Sequence, residues 1–227
     1  MSLLANQLPE QYNGLLAWVL LPLAQQWAER LRGVLKLLRR QLTGELHEGI
    51  YEVLEYDFTL SLKDAQGKRA VFERRERVRF LQDNVIAYED QAWGDGEVFA
   101  HYECSPGVPV DRYRDGHKWK VLISLREEKQ RGNVVEFHIR REVRDQFVSP
   151  DGWLQVEVSH RTRHLRVSVV FPKERLCRRA VLVERNRGKT TTLGPSYFGE
   201  LPDGRQAVSF ERSSPSLHEL YTLRWQW

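Results

Sequence analysis

The chain has 227 residues, with 35 Lys+Arg against 31 Asp+Glu and a formal net charge of +4 at pH 7. That length allows one large domain or two small ones, and ordinary hydrophobic content with frequent charge excludes a disordered chain. Two cysteines, Cys104 and Cys177, exclude a disulfide scaffold or a cysteine zinc site, and no run of eighteen apolar residues offers a conventional membrane span.

The first residues, MSLLANQLPEQ, lack the basic and small-residue flanks of a secretory signal, so a cytoplasmic, reduced setting is expected. The charge is uneven. From Pro150 onward there are 13 Lys+Arg against 8 Asp+Glu, and before it 22 against 23. Arginine outnumbers lysine 27 to 8. Arginine suits phosphate and carboxylate recognition, yet genomic base composition is the preferred account of the excess.

Residues 14–42 form the one strongly helical stretch. Leu16, Leu20, Leu23, Trp27, Leu31, Val34, Leu38 and Leu42 recur at steps of three and four, which is the stripe of an amphipathic helix. Pro9 suits a first helical turn, and Thr43-Gly44 a stop. Pro22 removes a backbone donor and predicts a kink. Leu15 to Ala24 is apolar on all sides, more than one packing partner can cover. Three uses stay open: packing on the protein's own sheet, pairing with a second copy or a partner protein, or peripheral contact with a membrane surface through Arg30, Arg32, Lys36, Arg39 and Arg40.

After residue 45 the period changes to two. Ile50, Leu54, Tyr56, Phe58, Leu60 and Leu62 occupy even positions and predict a half-buried strand. Lys63 to Lys68 is a turn with Gly67 free to take positive φ, and Arg69 to Leu81 returns as the second arm of a hairpin. Its mixed-sign centre, Glu73 to Arg77, reads as a solvated edge that discourages pairing between molecules. A short strand at Val85 to Tyr88 leads to a tight turn over 91–96, a returning strand at Val98 to Cys104 and a long loop over 105–117. Strands follow around Trp119–Leu125 and Val135–Val143, and five more lie beyond Pro150. The last carries Tyr221, Leu223, Trp225 and Trp227 on one face, as expected of a strand docked into a core. The reading is a mainly β chain: an antiparallel β-sandwich or barrel of about ten strands over 46–227, preceded by the helix in 1–45, with a second boundary conceivable at 148–152.

The turn at 91–96 and the loop at 105–117 gather Trp93, Asp95, Asp111, Arg112, Tyr113, Arg114 and His117, the candidate ligand-binding residues. Loops on a rigid β scaffold commonly carry binding groups, and an Arg-Tyr-Arg run can stack on a planar ring and pair with an anion. The same residues also make plain solvated turns. No catalytic signature appears. There is no Gly-x-Ser-x-Gly elbow, and Gly188-Lys189-Thr190 lacks the earlier glycine of a phosphate loop and reads as a hairpin turn. His160 and His164 flank a turn without a metalloprotease glutamate. His101 and Glu103 share a strand face, giving two ligands and no third, so neither a metal nor another cofactor is expected. Basic residues cluster after Arg161 with few aromatics nearby, so nucleic acid is not the favoured partner.

Three functions follow. The first is a non-enzymatic binding or adaptor module, held through residues 14–42 to a protein partner, to another copy as a homo-oligomer, or to a membrane surface. The second is a sensor for a nucleotide or other phosphorylated ligand using Arg112, Tyr113 and Arg114. The third is a small hydrolase with an acidic or thiol site around Asp95, Cys104, Asp111 and His117.

Overall fold

The computed structural model describes residues 49–93 and 97–227. The helix expected over 14–42, its kink at Pro22 and the turn residues Gly94, Asp95 and Gly96 lie outside the described residues. Residues 49–227 form a unit of their own.

Alternation and turn chemistry give a succession of strands: β1 (Tyr51–Leu62), β2 (Arg69–Phe80), β3 (Val85–Ala92), β4 (Glu97–Ser105), β5 (Val108–Asp115), β6 (Lys118–Lys129) and β7 (Val134–Arg144). Then come β8 (Asp151–Glu157), β9 (Thr162–Phe171), β10 (Arg179–Glu184), β11 (Lys189–Thr192), β12 (Phe198–Glu200), β13 (Gln206–Ser213) and β14 (Leu220–Gln226). They build three sheets among the described residues: a seven-stranded sheet in the order β12-β13-β9-β1-β2-β7-β4, a four-stranded sheet β11-β10-β14-β8, and a three-stranded sheet β3-β6-β5. The chain is mainly β, and among the described residues no sheet closes into a barrel. Pairing is antiparallel except between β1 and β9, which run parallel. Of the strands after residue 150, β8, β10, β11 and β14 form the four-stranded sheet, whereas β9, β12 and β13 extend the large one.

One face of the large sheet carries two hydrophobic cores side by side. The first lies against the four-stranded sheet and includes Phe58, Leu60, Phe72, Val167, Phe171, Leu182, Tyr221, Leu223 and Trp225. The second lies against the three-stranded sheet and includes Tyr51, Val53, Val78, Phe80, Tyr88, Ile123 and Phe137. Each large apolar side chain so buried stabilises the fold by about 1.5–3 kcal/mol. The closing strand behaves as its pattern predicts: Tyr221, Leu223, Trp225 and Trp227 are all buried.

β1 serves both cores through a bulge between Val53 and Glu55. The extra residue moves the inward set from the odd positions Tyr51 and Val53 to the even positions Phe58, Leu60 and Leu62. Simple alternation from Ile50 therefore misplaces the first turn of the strand. At the β1–β2 hairpin Gly67 has φ +70°, and a Cβ there would run into the Phe147 carbonyl.

The Glu73–Arg77 run is not an edge. β2 pairs with β1 on one side and β7 on the other, so its even residues face inward. Ala70 and Phe72 join the first core and Val78 and Phe80 the second. Arg74 and Glu76 fall between them, Glu76 buried and Arg74 with 10 % of its side chain exposed. The odd residues face outward into paired charge: Arg75 and Arg77 meet Glu55, Arg79 meets Glu52, and Arg140 on β7 meets Glu142. Exposed pairs of this kind add only about 0–1 kcal/mol each.

The segment expected as a loop over 105–117 is also different. Val108–Asp115 is β5, paired antiparallel with β6 along an edge of the three-stranded sheet. Its sequence has two prolines nearby and little apolar content, which hid the strand. It is an exposed edge strand, so there was no buried face to impose alternation.

Candidate ligand-binding site

The polar centre of the molecule lies where the two cores meet. Arg74 reaches from β2 to two carboxylates. Its Nη2 is 2.7 Å from Asp90 Oδ1 and its Nε is 3.2 Å from Glu76 Oε2. Tyr88 donates to Glu76 Oε2 at 2.8 Å and accepts from Arg74 Nη2 at 3.2 Å. Tyr102, from β4, donates to Asp90 Oδ2 at 2.9 Å, and the Gln91 amide donates to Asp90 Oδ1 at 2.7 Å. Asp90 faces inward because Tyr88, Asp90 and Ala92 occupy alternate positions of β3. Both carboxylates are 3 % exposed. Taking such groups out of water is costly unless each is paired and hydrogen-bonded, and here each is.

The electrostatics follow from this packing. Burial works to lower the Arg74 pKa, but Asp90, Tyr88 and Glu76 outweigh it and hold it well above the ordinary value. Burial raises the Glu76 carboxyl, opposed by Arg74 and the Tyr88 hydroxyl. Tyr51, Tyr56 and Tyr88 are also raised, chiefly by burial, so all three stay neutral donors. His160 stacks on Tyr51 with ring centroids 4.1 Å apart. Its pKa falls to about 4, because burial disfavours the imidazolium and Arg74 adds to that.

Arg141 completes the cluster from β7. It faces Phe72 on β2 and Tyr102 on β4 across the ladders. Its Cζ stands 4.3 Å over the Phe72 ring and 6.0 Å from the Phe99 ring centre. It is 8 % exposed, and its Nη1 is buried without a hydrogen-bond partner. Among the described residues no carboxylate forms an ion pair with it. Burial brings its pKa down to about 10, with Asp90 opposing, so it is still a cation at neutral pH.

Beside Arg141 the cluster reaches the surface at an arginine–aromatic corner. Arg112 lies with its Cζ 4.2 Å over Phe99, and Arg114 with its Cζ 5.9 Å from Trp119. Phe99 meets Trp119 edge-on at 6.3 Å and Tyr102 at 5.7 Å. Both arginines are exposed, and among the described residues neither is ion-paired to a carboxylate. Such contacts hold each guanidinium in place for about 0.5–1 kcal/mol. Arg114 Nε also donates to the Gly116 carbonyl at 3.1 Å, whereas the Arg112 guanidinium has no hydrogen-bond partner among the described residues.

The structure divides the candidate residues. Arg112 and Arg114 share the corner. Tyr113 is on the other face of β5, where its hydroxyl donates to Glu89 at 2.8 Å, beside Lys120, which bridges Glu89 and Asp115. Trp93 lies under Lys118, whose Nζ is 5.4 Å from the ring and 2.6 Å from Glu157. Asp111 is exposed and accepts from the Arg112 amide at 2.8 Å. His117 is exposed in the β5–β6 turn, and Asp95 lies outside the described residues. Cys104 has a single polar contact, a weak one to the Gly107 carbonyl at 3.9 Å, and burial raises its thiol pKa, with Asp90 adding to the effect. Cys177 is pushed up to about 11 by burial. Thiols so raised are poor nucleophiles. His101 and Glu103 do share a face, 2.8 Å apart, and among the described residues no three His, Cys, Asp or Glu side chains gather to hold a metal ion.

The sequence reading missed Phe99, Trp119, Arg141 and the Arg74–Glu76–Asp90 centre. The signal for the last was present: Arg74 and Glu76 continue the even spacing of Phe72 and Val78, so they belonged to the inward set.

No family model matches the sequence, and no curated protein matches it. Among solved structures, an M1 zinc metallopeptidase from Deinococcus radiodurans is similar with 12 % identity and a TM-score of 0.44, over 77 % of this chain and 42 % of that one. Aminopeptidase A of Legionella pneumophila, in complex with aspartic acid, shows 11 % identity and a TM-score of 0.44 over 78 % of this chain and 21 % of that one. The chain thus spans less than half the length of these solved chains, and likeness at this level carries no argument about function.

Proposed function

We propose that the protein is a non-enzymatic binding module whose arginine–aromatic corner meets an anionic ligand and whose residues 14–42 join it to a protein partner, another copy of itself or a membrane surface. The observation that carries the first half is the contrast in how arginines are used. On the outer face of the large sheet Arg75, Arg77, Arg79, Arg140, Arg163 and Arg166 each have a carboxylate within 4.0 Å. Arg112 and Arg114 instead rest on aromatic rings with no such neighbour among the described residues. Their charge is presented, not neutralised. The paired outer face also speaks for a discrete anion site and against a broad nucleic-acid track, which needs unpaired basic residues along a face.

Support for the second half is the amphipathic stripe itself and the apolar start of the stretch, Leu15 to Ala24. The described residues contain no helix long and apolar enough to cross a membrane.

Two experiments test the reading. Arg112→Ala with Arg114→Ala, in the full chain, should abolish the thermal shift given by polyanionic probes such as inorganic triphosphate. An unaltered shift removes the corner from the function. Deleting residues 1–48 should change the sedimentation coefficient beyond the lost mass or abolish flotation with anionic vesicles. If neither changes, residues 14–42 do no joining.

A further inference from the structure

The corner has a floor, and the floor is charged. We propose that the site is built for a phosphate monoester carried on a planar ring, such as a nucleoside monophosphate, with Arg141 as its inner phosphate-binding cation. This rests on the reading of the corner as an anion site and names both the ligand class and the residue that selects it.

Three observations support it. First, Arg141 is more than nine-tenths buried, yet one of its terminal nitrogens has no hydrogen-bond partner. A buried donor on a charged group left unpaired costs more than an ordinary lost hydrogen bond. An oxyanion beside it removes that cost. Second, Arg141 and Arg112 lie by the same ring, at 6.0 and 4.2 Å from the Phe99 centre, so their guanidinium carbons are no more than about 10 Å apart. A phosphate that reaches Arg141 beside this ring therefore also comes under the charge of Arg112. Third, the charges do not balance. Of Arg74, Arg141, Arg112 and Arg114 only Arg74 is ion-paired among the described residues, to Glu76 and Asp90, which leaves a surplus of two positive charges among the described side chains of this cluster. A phosphate monoester near pH 7 carries about −1.5 to −2. Asp90 is the nearest opposing charge, but among the described residues it makes no ion pair or hydrogen bond with Arg141; its oxygens are turned to Arg74, Tyr102 and the Gln91 amide.

The rings supply the rest. Phe99 and Trp119 stand edge-on to each other with a guanidinium over each. A flat aromatic ligand can stack on the outer face of either guanidinium or on exposed ring surface, as bases do on other aromatic platforms. A phosphate without a ring and a ring without a phosphate each lose one half of the site.

The test uses the full chain and calorimetric titration with four probes: adenosine 5′-monophosphate, its phosphate methyl ester, adenosine and inorganic phosphate. The expected order puts the monophosphate first, with each of the others at least tenfold weaker. Affinity for the monophosphate should fall several-fold between pH 7.5 and 5.5, as the second phosphate ionisation, near 6, is reversed. Arg141→Lys keeps the charge that balances Asp90 but loses the second donor edge, and should weaken the monophosphate at least tenfold without changing adenosine binding. Equal binding of the monophosphate and its methyl ester by the native protein overturns the proposal without recourse to any variant. So does native affinity in Arg141→Lys. If Arg112→Ala with Arg114→Ala loses triphosphate binding while Arg141→Lys binds the monophosphate normally, the anion-binding reading stands and this assignment falls. If none of the probes binds, triphosphate included, both fall.

Discussion

Replacing Arg74 with Met tests the electrostatic logic of the buried centre. The substitution keeps an unbranched apolar stem at a position with 10 % side-chain exposure and removes the cation that Asp90 meets at 2.7 Å and Glu76 at 3.2 Å. Two carboxylates would be left buried with tyrosine hydroxyls and one amide as partners. Removing one member of a buried ion pair typically costs about 3–5 kcal/mol, because the partner's desolvation is no longer offset. The loss should depend on pH in a defined direction. Burial already holds the folded-state pKa of Glu76 above the ordinary carboxyl value, and loss of Arg74, which opposes that rise, lifts it further. A carboxyl whose folded pKa exceeds its unfolded pKa binds more protons when folded, so stability falls as pH rises from the unfolded value to the folded one. The variant's deficit is therefore largest at neutral pH and shrinks toward pH 4–5. Urea unfolding followed by tryptophan fluorescence at pH 4.5 and 7.5 measures both quantities. A deficit under about 1 kcal/mol, equal at the two pH values, refutes the reasoning, since it would mean water reaches these carboxylates in the folded state.

His160→Phe preserves a ring against Tyr51 but removes a group whose folded pKa, about 4, lies below its usual 6.5. Between those values the unfolded chain holds the extra proton, so this histidine's contribution to stability rises with pH across that window and is lost on acidification through it, to a limit of about 3 kcal/mol. The variant should show a shallower acid slope in urea midpoints between pH 4 and 6.5, and an unchanged slope assigns the acid sensitivity elsewhere. Gly107→Ala tests the β4–β5 connection. Gly107 has φ +102°, and a Cβ there would stand 2.6 Å from Ile123 Cγ2 and 2.8 Å from the Ser124 carbonyl. The substitution should cost about 1–3 kcal/mol in thermal unfolding, whereas Gly199→Ala, where a Cβ meets nothing within 4 Å, should change stability by less than about 0.5 kcal/mol.

Where a strand had one buried face, its residues announced it. Tyr221, Leu223, Trp225 and Trp227 could be placed in a core from spacing alone, and Phe58, Leu60 and Leu62 likewise. Two physical effects defeated the rest. A bulge at Val53/Glu55 reverses the inward parity within β1, and no local residue type signals it. Long-range pairing decides whether a charged run is an edge or a centre. Glu73–Arg77 has the composition of a solvated edge, but β7, more than fifty residues later, covers β2 and turns half of the run inward. The same distance effect hid the site. Arg112 and Arg114 were visible as a turn-like basic pair, but Phe99, Trp119 and Arg141 join them only through the β4–β7 and β5–β6 ladders.

The seam between the cores explains why charge sits inside this protein at all. Two smaller sheets cover one face of the large sheet, and neither reaches across it. Inward positions beneath the seam run across the sheet as Arg212 on β13, the apolar Leu165 on β9, Tyr56 on β1, Arg74 and Glu76 on β2, Arg141 on β7 and Tyr102 on β4. Hydrophobic side chains there would join the two cores, and replacing buried ionic groups with packed apolar ones is often neutral or stabilising by about 1–4 kcal/mol. Stability alone therefore does not call for this belt. Most of it is internally satisfied, as the contacts of Asp90 and Glu76 show. Arg74 Nε and Arg141 Nη1 lack hydrogen-bond partners; the first still lies 3.2 Å from Glu76, whereas Arg141 has no carboxylate in an ion pair with it among the described residues, and it is also the member by the ring that Arg112 covers at the surface. An internal counter-charge would be expected to bury all its donors against its own carboxylates. A cation with a buried, unpartnered donor and no ion-paired carboxylate, beside two exposed arginines, is better accounted for by an anion that arrives from outside.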